Sequence, residues 1–247
     1  MELVKTILLF IGGLFAGLYA GNVGGAALVS VPLLIFTGIS IHVVIATQRL
    51  AAMIAEFFCA VRFYKAKQLD LNTGLFFGLF AVFGSIIGAN ISLTIDEKIL
   101  NLIVSIMLLG VFGLFLVKDK LGLKERLVTK RNKILTGICV FFLSIYGGFF
   151  GAGFGFFVVV LLVLFGFSFT KGAAIGRVIG FFMSLAGTLV FIQSGLINFP
   201  YAISLGAGFS IGGWIGISIA LKKGNAYIRT LMIIIILLSI LRLLITR

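Results

Sequence analysis

The chain is expected to fold as an all-α polytopic membrane protein built from two inverted-topology repeats, and three observations carry that expectation. Of its 247 residues, 61% are hydrophobic and 11% charged, with a mean hydropathy of +1.28, more apolar surface than a soluble core of that size can hide. Its apolar runs are continuous and about 20 residues long, which suits helices, and the alternating ten-residue segments of a barrel are missing. The chain also matches itself. A shift of 128 positions brings Gly38, Ser40, Ala46 and Arg49 onto Gly166, Ser168, Ala174 and Arg177, then Gly78, Gly84 and Gly88 onto Gly206, Gly212 and Gly216. Upstream the shift becomes 130, pairing Gly17, Gly21 and Gly25 with Gly147, Gly151 and Gly155, so the first copy carries about two extra residues near Pro32.

Each repeat reads as a glycine-broken, re-entrant or half-helix hairpin of two segments followed by three transmembrane helices. In the first these are 3–20, 24–37, 41–64, 71–93 and 98–117; in the second, 134–149, 154–167, 169–192, 198–220 and 226–245. Residues 1–117 form the first repeat, 118–133 a basic cytoplasmic linker, and 134–247 the second repeat. The second segment of each hairpin is too short to cross: about 13 residues rise about 20 Å against a hydrocarbon core of about 30 Å. Glycine breaks at that depth are tolerated only where they are packed in protein or line a watery cavity. Ser40, Asp70 with Asn72, Thr170, and Asn198 before Pro200 mark helix starts. Gly208, Gly212 and Gly216 form a smooth face for a neighbouring helix. The N-terminal run has an acid at Glu2, no convincing cleavage site and a counterpart later in the chain, and so reads as mature structure.

Five segments per copy give an odd number of crossings, so the copies must be inverted. The net charge of +13 reads as a topology signal rather than a nucleic-acid footprint. In the inverted arrangement fourteen basic residues share one face: Arg62, Lys65, Lys67, seven between Lys118 and Lys133, Lys171, Lys222, Lys223 and Arg229. Lys5, Lys98, Arg242 and Arg247 lie on the other. By the positive-inside rule the central loop is cytoplasmic and both termini are outside.

The short second segments, beginning near Gly24 and Phe154, then start at mid-membrane, so their unpaired N–H groups and partial positive charge point at the centre. Arg49 and Arg177 each lie eight residues into the third helix of their copy. From opposite faces, about 12 Å of rise brings both close to the midplane. A permanently charged guanidinium there costs at least about 2.5 to 3.5 kcal/mol, so it needs an anion or an acid. Glu56, two turns beyond Arg49, can pair with Arg49 or with Arg177; the matching residue in the second copy, Ser184, offers no neutralisation. The excess positive charge predicts an anion site lined by Arg49, Arg177, Asn22, Gly24, Gly25, Thr47, Gln48, Gly153, Phe154 and Gly155. Glu56 and His42 are the candidates for proton coupling, His42 also reading as a helix-end residue at the headgroups.

No Walker loop, zinc spacing or nucleophile elbow occurs, so enzymatic chemistry, a cofactor and a metal are not expected. Cys59 and Cys139 lack metal or redox spacing and read as packing residues.

The hairpins GLYAGNVGGAALVSVPLL and GGFFGAGFGFFVVVLLVL, followed by HVVIATQRL and KGAAIGRVI, resemble the sulfite exporter TauE/SafE family over nearly the whole chain. Gly24, Gly25, Pro32, Ala46 and Thr47 fit the family pattern; Leu162 and Ile175 depart from it in the second copy. The resemblance implies a bacterial cytoplasmic-membrane transporter of sulfite or organosulfonates, often outward. The expected function is therefore a secondary transporter exporting a small sulfur-containing anion by alternating access. Anion or sulfonate uptake, an anion channel and a structural subunit are the alternatives. Its expected partners are the anion and the lipid bilayer, with a homodimer left open.

Overall fold

A computed structural model describes residues 2–93, 125, 129–151 and 153–245. Eight helices are seen among them: α1 (Glu2–Val23), α2 (Ala27–Ile35), α3 (Ile41–Lys65), α4 (Leu71–Ile91), α5 (Lys130–Phe149), α6 (Phe154–Leu164), α7 (Phe169–Gln193) and α8 (Phe199–Ile245). Gly224, at φ 77° and ψ −173°, breaks α8 into the two helices that the sequence divides at about the same place. No strand occurs among the described residues. Six of the helices, α1, α3, α4, α5, α7 and α8, are long and apolar enough to cross a membrane. The protein is a multi-pass helical membrane protein. The expected fifth segment at 98–117 and most of the basic linker lie outside the described residues.

α2 and α6, with 9 and 11 residues, rise about 13 and 16 Å and are shorter than the sequence predicts. α2 starts three residues late because Gly24 and Gly25 both adopt positive φ, leaving Ala26 at the N-cap. α5 starts early, at Lys130, because the Thr129 hydroxyl accepts from the Asn132 amide (3.3 Å) and caps it. Asp70 caps α4, accepting from the Thr73 amide (3.1 Å) and hydroxyl (2.7 Å), and Asn198 Oδ1 caps α8 through the Tyr201 amide (3.2 Å). Two expected caps differ. Ser40 stands at the N-cap of α3 but makes no capping bond, and Ser168 rather than Thr170 caps α7. Thr170 instead donates its amide and hydroxyl to Asn225 Oδ1, at 2.9 and 2.7 Å.

The two halves of the chain interleave. α1 lies along α8, α4 along α5 and α7, and α3 between α7 and α8, so the most extensive packing joins helices from different halves. Glycines make this approach close. A Cβ on Gly17 of α1 would lie 2.9 Å from the Gly213 nitrogen of α8, and one on Gly148 of α5 would meet the Ser85 carbonyl of α4 at 2.5 Å. Gly84 and Gly212 likewise face the Phe141 and Leu14 carbonyls. Without a hydrophobic driving force between helices in lipid, such backbone proximity maximises dispersion contact. α3 and α7, which carry the two arginines, are thereby held against each other at the centre.

Candidate functional site

The two glycine breaks touch at the middle of the bundle. A Cβ on Gly24 would lie 2.8 Å from the Gly155 carbonyl carbon and 2.9 Å from the Phe156 nitrogen. The breaks end α1 and α5 and leave a set of last-turn carbonyls at each, of which that of Ala20 in α1 also accepts from the Gly24 amide (2.6 Å). An arginine from the other half reaches each set. Arg49 of α3 donates through Nη2 to the carbonyls of Gly147 (2.5 Å) and Gly148 (3.3 Å) at the end of α5. Arg177 of α7 donates through Nη2 to the Ala20 carbonyl (2.5 Å) near the end of α1. A cation at a helix C-terminus also meets the negative end of the macrodipole.

The resemblance between the two arginines ends there. Arg177 Nη1 pairs with Glu56 of α3, at 3.1 Å to Oε2 and 3.2 Å to Oε1. Gly180 makes room for that carboxylate, since a Cβ there would lie 3.1 Å from Glu56 Cδ. Arg49 is 1% exposed, and among the described residues no carboxylate pairs with it. Its Nη1 contacts Met183 Sδ at 3.3 Å, and its buried Nε has no hydrogen-bond partner among the described residues. The head group abuts the break between α5 and α6: a Cβ on Gly151 would lie 2.7 Å from Nη1.

Of the other predicted residues, Gln48 is buried with an unpartnered Oε1. Thr47 is buried too, but its hydroxyl accepts from the Asn198 amide (3.0 Å) and ties α3 to the start of α8. The Gly24 amide is spent on the Ala20 carbonyl (2.6 Å) and the Phe154 amide on the Gly151 carbonyl (3.1 Å), so neither is a free donor. Gly25 precedes α2 in positive φ, Gly153 is the left-handed N-cap of α6, and Gly155 lies against Gly24 and Gly25. Asn22 is in the last turn of α1, and its side chain lies outside the described residues. His42 is exposed at the second position of α3, away from the buried centre.

Sequence reasoning missed the groups that surround Arg49. Met183 of α7 contacts its guanidinium and Gly187 faces its side-chain carbons; elsewhere in the interior, buried Ser144 of α5 and Ser184 and Thr188 of α7 have hydroxyls without a partner among the described residues. Isolated serines and threonines in apolar helices carry no positional signal until the helices are packed. Beside Glu56 and Arg177 lies a cavity of about 20 Å³, also lined by Ala20, Cys59 and Phe209. One water fits that volume, with the carboxylate and guanidinium as polar partners.

These features define a polytopic helical membrane protein with a buried, positively charged centre between glycine-broken hairpins. The chain belongs to the sulfite exporter TauE/SafE family, whose model matches residues 9–243. It is 29% identical over 229 residues to a probable membrane transporter protein of Haemophilus influenzae, covering 92% of this chain and 89% of that protein. It is also similar to the probable membrane transporter proteins YfcA of Escherichia coli (26% over 231 residues; 92% and 85%) and YunE of Bacillus subtilis (27% over 269 residues; 95% and 96%). No solved structure matches it.

Proposed function

We propose that the protein is a secondary transporter that exports a small sulfur-containing anion, sulfite or an organosulfonate, and that Arg49 is the centre of its binding site. One observation carries this reading: Arg49 is a buried, permanent cation with no carboxylate partner among the described residues and with an unpartnered Nε. A buried charge without a counter-ion is costly, and in a membrane such a group marks a ligand site. A sulfur oxyanion beside it would balance the charge and accept from Nε. Gln48 and the first turn of α6 complete the lining.

The reading includes alternating access between inverted repeats. Its support is the reciprocal capping of each hairpin by the opposite half's arginine, together with the burial of Arg49, which is 1% exposed. The halves must therefore move to admit substrate. Glu56 is the proton-coupling group in this scheme: protonation releases Arg177, and the adjacent water-sized cavity supplies the proton path. His42, exposed at a helix end, is assigned no part. The basic face is cytoplasmic and the membrane is the bacterial cytoplasmic membrane.

Flux of radiolabelled sulfite and of a small sulfonate into proteoliposomes tests the proposal, with wild type and Arg49→Gln side by side. Saturable flux in the wild type that is lost in the variant is the expected result. Normal flux in a folded Arg49→Gln protein removes Arg49 from the site, and unsaturable flux with single-channel currents replaces the carrier by a channel.

A further inference from the structure

Away from the centre, α3 and α8 enclose a recess of about 530 Å³ on the outer surface of the bundle. Ile54 and Phe58 form one wall, and Ile203, Ala207, Ile211 and Ile215 the other. The one hydroxyl in its lining, Ser210, is spent on the Gly206 carbonyl (2.7 Å), so the recess offers no free polar group along its length. From Ile203 to Trp214 it follows eleven residues of α8, about 16 Å, which is the depth of one leaflet's hydrocarbon.

Its far end is different. Trp214, the chain's single tryptophan, closes the recess, with the guanidinium carbon of Arg62 at 5.6 Å and Nζ of Lys65 at 5.4 Å from its ring centroid. Arg62 Nε donates to Ser218 Oγ (3.0 Å), and that hydroxyl donates to the Trp214 carbonyl (2.7 Å), fixing the group in place. All four described acids are engaged elsewhere: Glu2 with Lys5, Glu56 with Arg177, Asp70 with Thr73, and Glu125 with Lys171. Two cations at the last turn of α3 thus stand at the mouth of an acyl-sized apolar slot. Arg62 and Lys65 stand at the end of the α3 span, and basic pockets at the headgroup level recognise lipid phosphates.

We propose that this recess is a specific site for one anionic phospholipid, its acyl chain lying between α3 and α8 and its phosphate held by Arg62 and Lys65. α3 and α8 flank the central arginines, so a lipid seated here would couple the two halves to membrane composition.

The single tryptophan makes the test direct. Full-length protein is reconstituted with phosphatidylglycerol or phosphatidylcholine carrying brominated acyl chains, and quenching of Trp214 fluorescence is compared at equal mole fraction. Phosphatidylglycerol is expected to quench preferentially, by about fivefold in relative association for each of the two cations. Arg62→Gln/Lys65→Gln is expected to abolish the preference while both lipids still quench. Equal quenching of the wild type by the two lipids overturns the proposal, as does a preference that survives in the double variant. Quenching by neither lipid also overturns it, because a second protein copy then covers the recess. Should the double variant fail to fold, the wild-type comparison decides alone.

Discussion

Arg49 and Arg177 occupy matching places in the two halves, yet their surroundings differ in sign. Each caps the end of the opposite half's first helix. Arg177 is neutralised by Glu56, whereas the residue that the 128-position shift sets against Glu56 is Ser184, and among the described residues Arg49 has no carboxylate partner. A cation thus stands on helix-end carbonyls twice, while among the described residues only one of the two arginines has a carboxylate partner.

The largest expected effect tests that asymmetry at its open end. Arg49→Gln should lower sulfite flux by at least about a hundredfold, since a charge-assisted contact to a buried anion is lost, while the protein remains folded in detergent by size-exclusion chromatography. Arg177→Gln should instead show first as lost expression or thermal stability, because it strands a buried carboxylate at a cost of about 3 to 5 kcal/mol. Restoration of a folded protein by the double change Arg177→Gln/Glu56→Gln would establish the pair as the cause.

Making the two halves alike is the next test. Ser184, the residue that the shift sets against Glu56, is buried on α7 next in sequence to Met183, which contacts Arg49, so Ser184→Glu tests an internal counter-ion in this half. Saturable anion binding should fall by about tenfold or more, and thermal stability should be retained or rise, since a paired charge replaces an unpaired one. Undiminished binding in Ser184→Glu would show that the anion does not depend on the open charge. Glu56→Gln should preserve flux at fixed pH within about tenfold but remove its dependence on an imposed pH gradient; persistent gradient dependence would dismiss Glu56 as the coupling group.

The smallest effect lies outside the membrane. Partial burial opposes the ionised form of Asp70, but the Thr73 hydroxyl and amide and the charges of Lys133 and Lys171 outweigh it and hold the carboxyl below its ordinary value. A depressed folded value means that the contribution is present above the unfolded pKa of about 3.9 and is lost as pH falls through the folded one. Asp70→Ala should cost about 1 kcal/mol at neutral pH, read as a lower unfolding temperature, and the difference from wild type should shrink below about pH 4. A deficit that stays constant at low pH would assign the effect to something other than the ionised cap.

Much of this was legible in one dimension because the solvent is a bilayer. Hydropathy and length place the six crossing helices, and Gly24, Gly25, Gly151 and Gly153 mark the breaks because only a residue without a side chain adopts their positive φ freely. The two arginines stand out for the same reason: a permanent charge in an apolar run demands a partner. What the chain alone left open was which partner, since Glu56 lies two turns from Arg49 in sequence and pairs with Arg177 of another helix. The choice of carbonyls at Gly147, Gly148 and Ala20, the diversion of Thr47 to the start of α8, and the contact of Arg49 with Met183 were equally hidden. Burial and the glycine breaks are local properties that composition imposes, so the sequence determined them. Neutralisation is a property of distance between helices, and the interleaving of the two halves decided which arginine received the acid.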